Sequence, residues 1–151
     1  MDCNILINNM VVGLLTHLSY IEQNELQIDK LGITMNEINT LDAIKDVEPT
    51  TMGNVARKLF ITLPTLTSAV NKLEKKGYVK RLRDPSDGRI VHLELSEKGL
   101  EIVNLHEDFR NGMINQFLED LNEQEEEVLL KVLLKLQEVL EDYYKTNKGS
   151  I

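Results

Sequence analysis

A single cysteine, Cys3, occurs in 151 residues. That excludes an intramolecular disulfide and suits a reducing compartment. Long apolar runs are also missing. The least charged stretch, Ile5 to Tyr20, is interrupted by Asn8, Asn9, Gly13, Thr16 and His17, and it falls short of the roughly 18 apolar residues a membrane span needs. Met1-Asp2-Cys3 carries no basic region, so no secretory signal is expected and the cytoplasm is the expected compartment. Equally absent are a Gly-rich phosphate loop, a metal-ligand cluster, and a nucleophile with a histidine and an acid at a suggestive spacing. His17, His92 and His106 are far apart in sequence, so only the fold could gather them round a metal. Cys3 has no visible activating partner for redox sensing. Neither an enzyme, a resident metal nor a cofactor is expected.

Positive charge is scarce on average, with a net charge of −8, but it is unevenly spread. Between Asn54 and His92 stand nine Lys and Arg (Arg57, Lys58, Lys72, Lys75, Lys76, Lys80, Arg81, Arg83, Arg89) against Glu74, Asp84 and Asp87. That segment is +6 and the remainder −14. A basic patch on an acidic molecule still turns towards nucleic acid, because counterion release depends on local phosphate contacts. The same charges would also suit a solvated face.

What is present is helical periodicity. Leu6, Met10, Leu14, Leu18 and Ile21, widened by Val11 and Leu15, predict a buried helix from Ile5 to about Ile28 that stops near Leu31-Gly32. Thr34-Met35-Asn36-Glu37 has the spacing of a capping box. It opens a short helix with Ile38, Leu41 and Ile44 inward, ended by Glu48-Pro49. Thr50 or Thr51 caps a third helix, with Val55, Ala56 and Leu59 inward. Thr62 caps a fourth, with Leu63 and Pro64 in its first turn, where proline is tolerated. Leu66, Ala69, Val70 and Leu73 form its core face, and Gly77 stops it. Two short helices joined by such a tight turn read as a helix-turn-helix.

Tyr78 to Arg83 and Arg89 to Leu95 alternate as strands. Asp84-Pro85-Ser86-Asp87-Gly88 supplies the turn, with Gly88 free to take positive φ. This hairpin is a wing. Ser96-Glu97-Lys98-Gly99 opens a long helix containing Ile102, Leu105, Phe109, Met113 and Phe117, and Asn122 to Glu125 caps another. In that last helix Val128, Leu129, Val132, Leu133, Leu136, Val139, Leu140 and Tyr143 form a wide seam, with a loose tail expected from Thr146 to Ile151. So much apolar surface on terminal helices predicts either a dimer or simple core packing. The fold class is mainly α with a small β-hairpin: a winged helix-turn-helix core flanked by long amino- and carboxy-terminal helices.

Leu59-x-Ile61-Thr62, Thr67-x-x-Val70-x-x-Leu73-Glu74-x-x-Gly77-Tyr78-Val79, Asp87-x-Arg89 and Leu95-Ser96-x-x-Gly99, in that order, resemble the MarR family of bacterial transcription regulators over the whole chain. The resemblance implies a single domain, 1–151. Residues 34–95 would be the DNA-binding lobe, and 1–30 with 96–145 a helical dimerisation lobe. It also implies a homodimer on a pseudo-palindromic operator of double-stranded DNA. Ile61 to Thr67, Leu73 to Tyr78, Ile21-Glu22 and Leu105-His106-x-x-Phe109-x-x-x-Met113 are further similar to the fatty-acid-synthesis repressors of Gram-positive bacteria. In that subgroup the corepressor is acyl carrier protein bearing a long acyl chain. An apolar channel lined by Met10, Leu14, Leu18, Phe109 and Met113 would admit the chain, though the same spacing suits ordinary core.

For DNA, Thr62, Leu63, Pro64 and Thr65 sit at the recognition helix's amino end, where base edges are read. Leu63 or Pro64 suits a thymine methyl. Thr65, Thr67, Ser68 and Asn71 offer hydrogen bonds, and Asn71 suits adenine. Thr67 suits helix packing equally. Lys72 and Lys75 suit phosphates. Arg89 at the wing tip suits a narrow minor groove. The resemblance gives Asp87 the task of orienting an arginine, Arg81 or Arg83; a plain turn residue is the other reading. Gly88 stands where many relatives carry a second basic residue, which removes one wing contact. Two alternatives stay open: a regulator released from DNA by a small aromatic ligand, and a winged-helix module that binds protein rather than DNA.

Overall fold

The computed structural model describes residues 2–148. The chain divides into two compact units, Met1–His106 and Glu107–Ile151. Here the first helix groups with the winged helix, and the division falls inside the helix that follows the wing.

Helix α1 (Cys3–Glu25) starts where the Asp2 side chain accepts from the Asn4 amide at 3.0 Å. It stops three residues short of the expected Ile28. Gln27 turns left-handed at φ 48°, and a one-turn α2 (Ile28–Leu31) follows, closed by Gly32 at φ 65°. The break has a packing cause. Leu26 and Ile28 are both buried, and an unbroken helix would aim them about 200° apart. α1 itself carries no buried residue, so the burial predicted for its stripe is not met among the described residues. By length and composition alone, with a mean hydropathy of 1.2, it is the one described helix that reaches the minimum for a membrane span. An apolar helix of a soluble protein passes the same test.

Helix α3 (Met35–Asp46) opens on the predicted capping box. The Glu37 amide donates to Thr34 Oγ1 at 3.2 Å, and the Thr34 amide donates to Glu37 Oε2 at 2.9 Å. Lys76 Nζ then donates to both Glu37 oxygens at 2.8 Å and to the Gly32 carbonyl at 2.9 Å. Burial opposes the charge on Glu37, but hydrogen bonds from Lys76 and Thr34 outweigh it and hold the carboxyl below its ordinary range. Ile38, Leu41 and Ile44 are buried. α4 (Met52–Lys58) is capped by Thr51 and buries Val55 and Ala56.

The wing pairs β1 (Val79–Arg83) with β2 (Val91–Leu95), antiparallel from Val79–Leu95 to Arg83–Val91. Thr51 bridges to His92, and the Leu93 amide donates to the Thr50 carbonyl at 2.9 Å, fastening the wing to the entry of α4. β2 begins two residues later than expected, because the Ile90 amide donates to the Asp87 carbonyl at 2.9 Å and keeps Arg89 and Ile90 in the turn.

Helix α6 (Glu97–Leu118) is tied to the base of the wing. Ser96 Oγ accepts from the Gly99 amide at 3.0 Å and donates to the Gly77 carbonyl at 2.6 Å. A methyl group at Gly99 would lie 2.2 Å from the Tyr78 carbonyl oxygen. α7 (Glu123–Lys148) opens with Asn122 Oδ1 accepting from the Gln124 and Glu125 amides, and with Glu125 returning to the Asn122 amide. It stays helical through Lys148 because no breaker intervenes, so the loose tail expected from Thr146 does not begin there; residues 149–151 lie outside the described residues.

Candidate nucleic-acid interface

The turn between α4 and α5 (Leu63–Lys75) is built from backbone bonds. The Ile61 amide donates to the Ala56 carbonyl at 3.1 Å and the Phe60 amide to the Arg57 carbonyl at 3.1 Å, with Phe60 left-handed at φ 55°. The end of α5 repeats this closure: Tyr78 donates to Leu73 and Gly77 to Glu74, with Gly77 at φ 79°. Glycine takes that conformation without strain; a phenylalanine there costs on the order of 1–2 kcal/mol. The strained copy is the one that aims the recognition helix.

α5 has two faces. Leu66, Val70 and Leu73 have no exposed surface, Ala69 is half-buried, and Thr62, Leu63, Pro64, Thr65, Thr67, Ser68, Asn71, Lys72 and Lys75 are all exposed. The Thr62 hydroxyl accepts from the Thr65 amide at 3.4 Å and lies 2.8 Å from the Thr65 hydroxyl, so the cap is also a paired surface. Thr67 donates to the Leu63 carbonyl at 2.8 Å and stays exposed, which separates it from the core face. An open groove of about 600 Å³ runs between α3 and α5, and Thr65, Ser68 and Lys72 stand along it.

Asp84 shapes the wing turn. Its Oδ1 accepts from the Ser86 hydroxyl at 2.6 Å and from the Ser86 and Asp87 amides at 2.8 and 3.0 Å; Oδ2 lies 3.0 Å from His92 Nε2. The Ser86 hydroxyl most of all, then the Asp87 amide, His92 and the Ser86 amide, hold this carboxyl well below the usual carboxylate range. The side chain does what positive φ at Gly88 was expected to do; among the described residues the left-handed glycines are Gly32 and Gly77. Asp87 Oδ1 accepts from the Arg89 amide at 3.0 Å, so it positions Arg89 through the backbone.

The expected pairing of Asp87 with Arg81 or Arg83 is not what the side chains make. Arg81 turns instead to α5, where its guanidinium meets Glu74 and donates to Asn71 Oδ1 at 2.8 Å. The cause is proximity: β1 leaves α5 directly through Gly77, which brings Arg81 back alongside the helix it follows. Arg83 and Arg89 are exposed. Lys76, engaged with Glu37 and Gly32, is a structural cation within the basic segment.

Of the apolar-channel candidates, Met10 and Leu14 are exposed and Leu18 half-buried in the first unit; Phe109 and Met113 are half-buried in the second.

Glu22 and His106, read in the sequence only within motifs, meet in the fold. His106 is 1% exposed, with Nδ1 2.7 Å from Asp42 Oδ2 and Nε2 3.3 Å from Glu22 Oε1. It links α6 to α3 and α1. Among the described residues no group of three or more His, Cys, Asp and Glu could hold a metal ion.

Residues 31–90 match the MarR family profile. The chain is 30% identical to the HTH-type transcriptional regulator SarZ of Staphylococcus epidermidis over 116 residues, 73% of this chain and 78% of that relative. Streptococcus pneumoniae FabT, solved in complex with DNA, superposes with a TM-score of 0.86 at 33% identity, over 93% of this chain and 99% of that one. The S. aureus MepR–DNA complex shares the fold, with a TM-score of 0.69 at 21% identity over 87% and 96% of the two chains. With its helix-turn-helix, its wing and these relatives, the chain belongs to the MarR family of transcriptional regulators.

Proposed function

We propose that the protein is a repressor that binds a pseudo-palindromic operator as a homodimer. We further propose that it controls fatty-acid synthesis with long-chain acyl-acyl carrier protein as corepressor. The observation that carries DNA reading is the exposed Thr-Ser-Asn face of α5 beside a wing whose turn already holds the Arg89 backbone. Thr62, Leu63, Pro64, Thr65, Thr67, Ser68 and Asn71 meet base edges in the major groove. Lys72, Lys75 and Arg83 meet phosphates, and Arg89 enters the adjacent minor groove. The likeness to FabT over nearly the whole chain supports the fatty-acid reading. The uncovered apolar faces of α1 and α7 support a second copy of the chain. In the dimer, two recognition helices would stand about 34 Å apart, one turn of DNA. Cytoplasmic residence follows from this role. Residues 34–95 would read, and 1–30 with 96–145 would pair and control.

The test is a titration of the protein against its own upstream region at two salt concentrations. A salt-sensitive shift is expected, and Arg89→Ala is expected to weaken it and lower the salt slope by about one while the dimer stays folded. The absence of any salt-sensitive shift favours a protein-binding module. Adding acylated carrier protein should tighten binding; release by a small aromatic compound, with no response to the carrier, favours the other class of effector.

A further inference from the structure

Arg81 stands on β1 with its side chain 27% exposed, and both of its partners lie on α5. Nη1 meets Glu74, and Nη2 donates to Asn71 Oδ1 at 2.8 Å. We infer that Arg81 is a positioning residue for base reading: it fixes the amide plane of Asn71 before DNA arrives and touches no DNA itself. This rests on the proposal that α5 reads DNA.

The chemistry points one way at each link. A guanidinium has donors only, so it selects the oxygen of the Asn71 amide and decides which way round that amide stands. A free asparagine exchanges its oxygen and nitrogen by rotating its last torsion, and would present the wrong edge for part of the time. The carbonyl oxygen has two lone pairs; Arg81 takes one, which leaves the other and the NH2 group open. The donor-and-acceptor edge that pairs with adenine is therefore kept and oriented. Glu74 holds the other terminal nitrogen of the guanidinium and balances its charge, which turns Arg81 from a phosphate ligand into a strut between wing and recognition helix. A shift of the wing moves this strut, so wing and helix read as one surface.

The test is selection of bound duplexes from a library of random sequence, followed by sequencing, with wild type, Asn71→Ala, Arg81→Ala, Arg81→Lys and the Asn71→Ala/Arg81→Ala pair, each checked for folding by thermal melting. Asn71→Ala should flatten preference at one base pair of each half-site by about 5- to 150-fold, the worth of one bidentate contact. Arg81→Ala should flatten the same position, the double variant no further, and the salt slope should stay that of wild type. Arg81→Lys keeps the charge and the stem but lacks the fork, so it should flatten that position too, which keeps the test decisive if the alanine variant unfolds. Base preferences intact with a salt slope lower by about one would make Arg81 a phosphate contact and overturn the inference. Wild type that enriches no sequence removes the DNA-reading proposal itself. Enrichment unchanged at every position in both Arg81 variants removes only the positioning role.

Discussion

α5 and α7 carry the same sequence signal, apolar residues at steps of three and four, and end differently. In α5, Leu66, Val70 and Leu73 are completely covered, because α3, α4 and β1 pack around that face. In α7, Val128, Val132, Leu136, Val139 and Leu140 all remain exposed, Leu136 at 45% being the least so. Periodicity makes a helix; it does not say who covers the stripe. Among the described residues the stripe of α5 is covered and that of α7 is not.

That contrast can be broken hardest at the buried histidine. His106→Ala removes the group between Asp42 and Glu22 and should cost about 3–5 kcal/mol in urea unfolding. A loss under 1 kcal/mol would mean that α1 and α6 are held to α3 by other contacts. The comparison is sharpened by paired truncations. Leu73→Ala, in the covered stripe, should cost about 2–5 kcal/mol at every protein concentration. Leu136→Ala, in the open stripe, should lower Tm most in dilute solution and shift sedimentation towards monomer. Equal, concentration-independent losses at both positions would show that α7 is covered within its own chain.

The smallest effect concerns acid. Because the folded pKa of Asp84 is depressed, its contribution to the wing turn is complete above the ordinary aspartate range near 4 and is lost only as pH falls through the lower folded value. Amide shifts of Ser86 and Asp87 followed by NMR should therefore hold below pH 4. Movement centred on the ordinary value would place the turn's order elsewhere.

Features legible in the sequence share one property: their partners are near in the chain. The caps at Thr34, Thr51, Thr62 and Asn122 each use an amide two or three residues on, so a short window contains the whole interaction. The two faces of α5 were legible for the same reason, and the ordered family motifs supplied the fold around them. Partners distant in the chain were not legible. His106 meets Asp42 and Glu22 across separations of 64 and 84 residues, and no local pattern marks such a pairing. The break at Gln27 is decided by the burial of Leu26 and Ile28. The partner of Arg81 was not legible either, because the choice between Asp87 and Asn71 depends on where the strand returns beside the helix.

Gly99 also limits how this sequence can drift. Alanine at Gly13, Gly53, Gly88 or Gly112 would meet no atom within 4 Å, whereas at position 99 it collides with a backbone carbonyl that also accepts from the Ser96 amide. No neighbouring side chain can mutate to make room, since the obstacle is main chain. Descendants are free to change their reading face, and that glycine stays. In homologues too diverged to be recognised by the recognition helix, a serine followed three residues later by glycine, just after a hairpin, should be the last part of the pattern to fade.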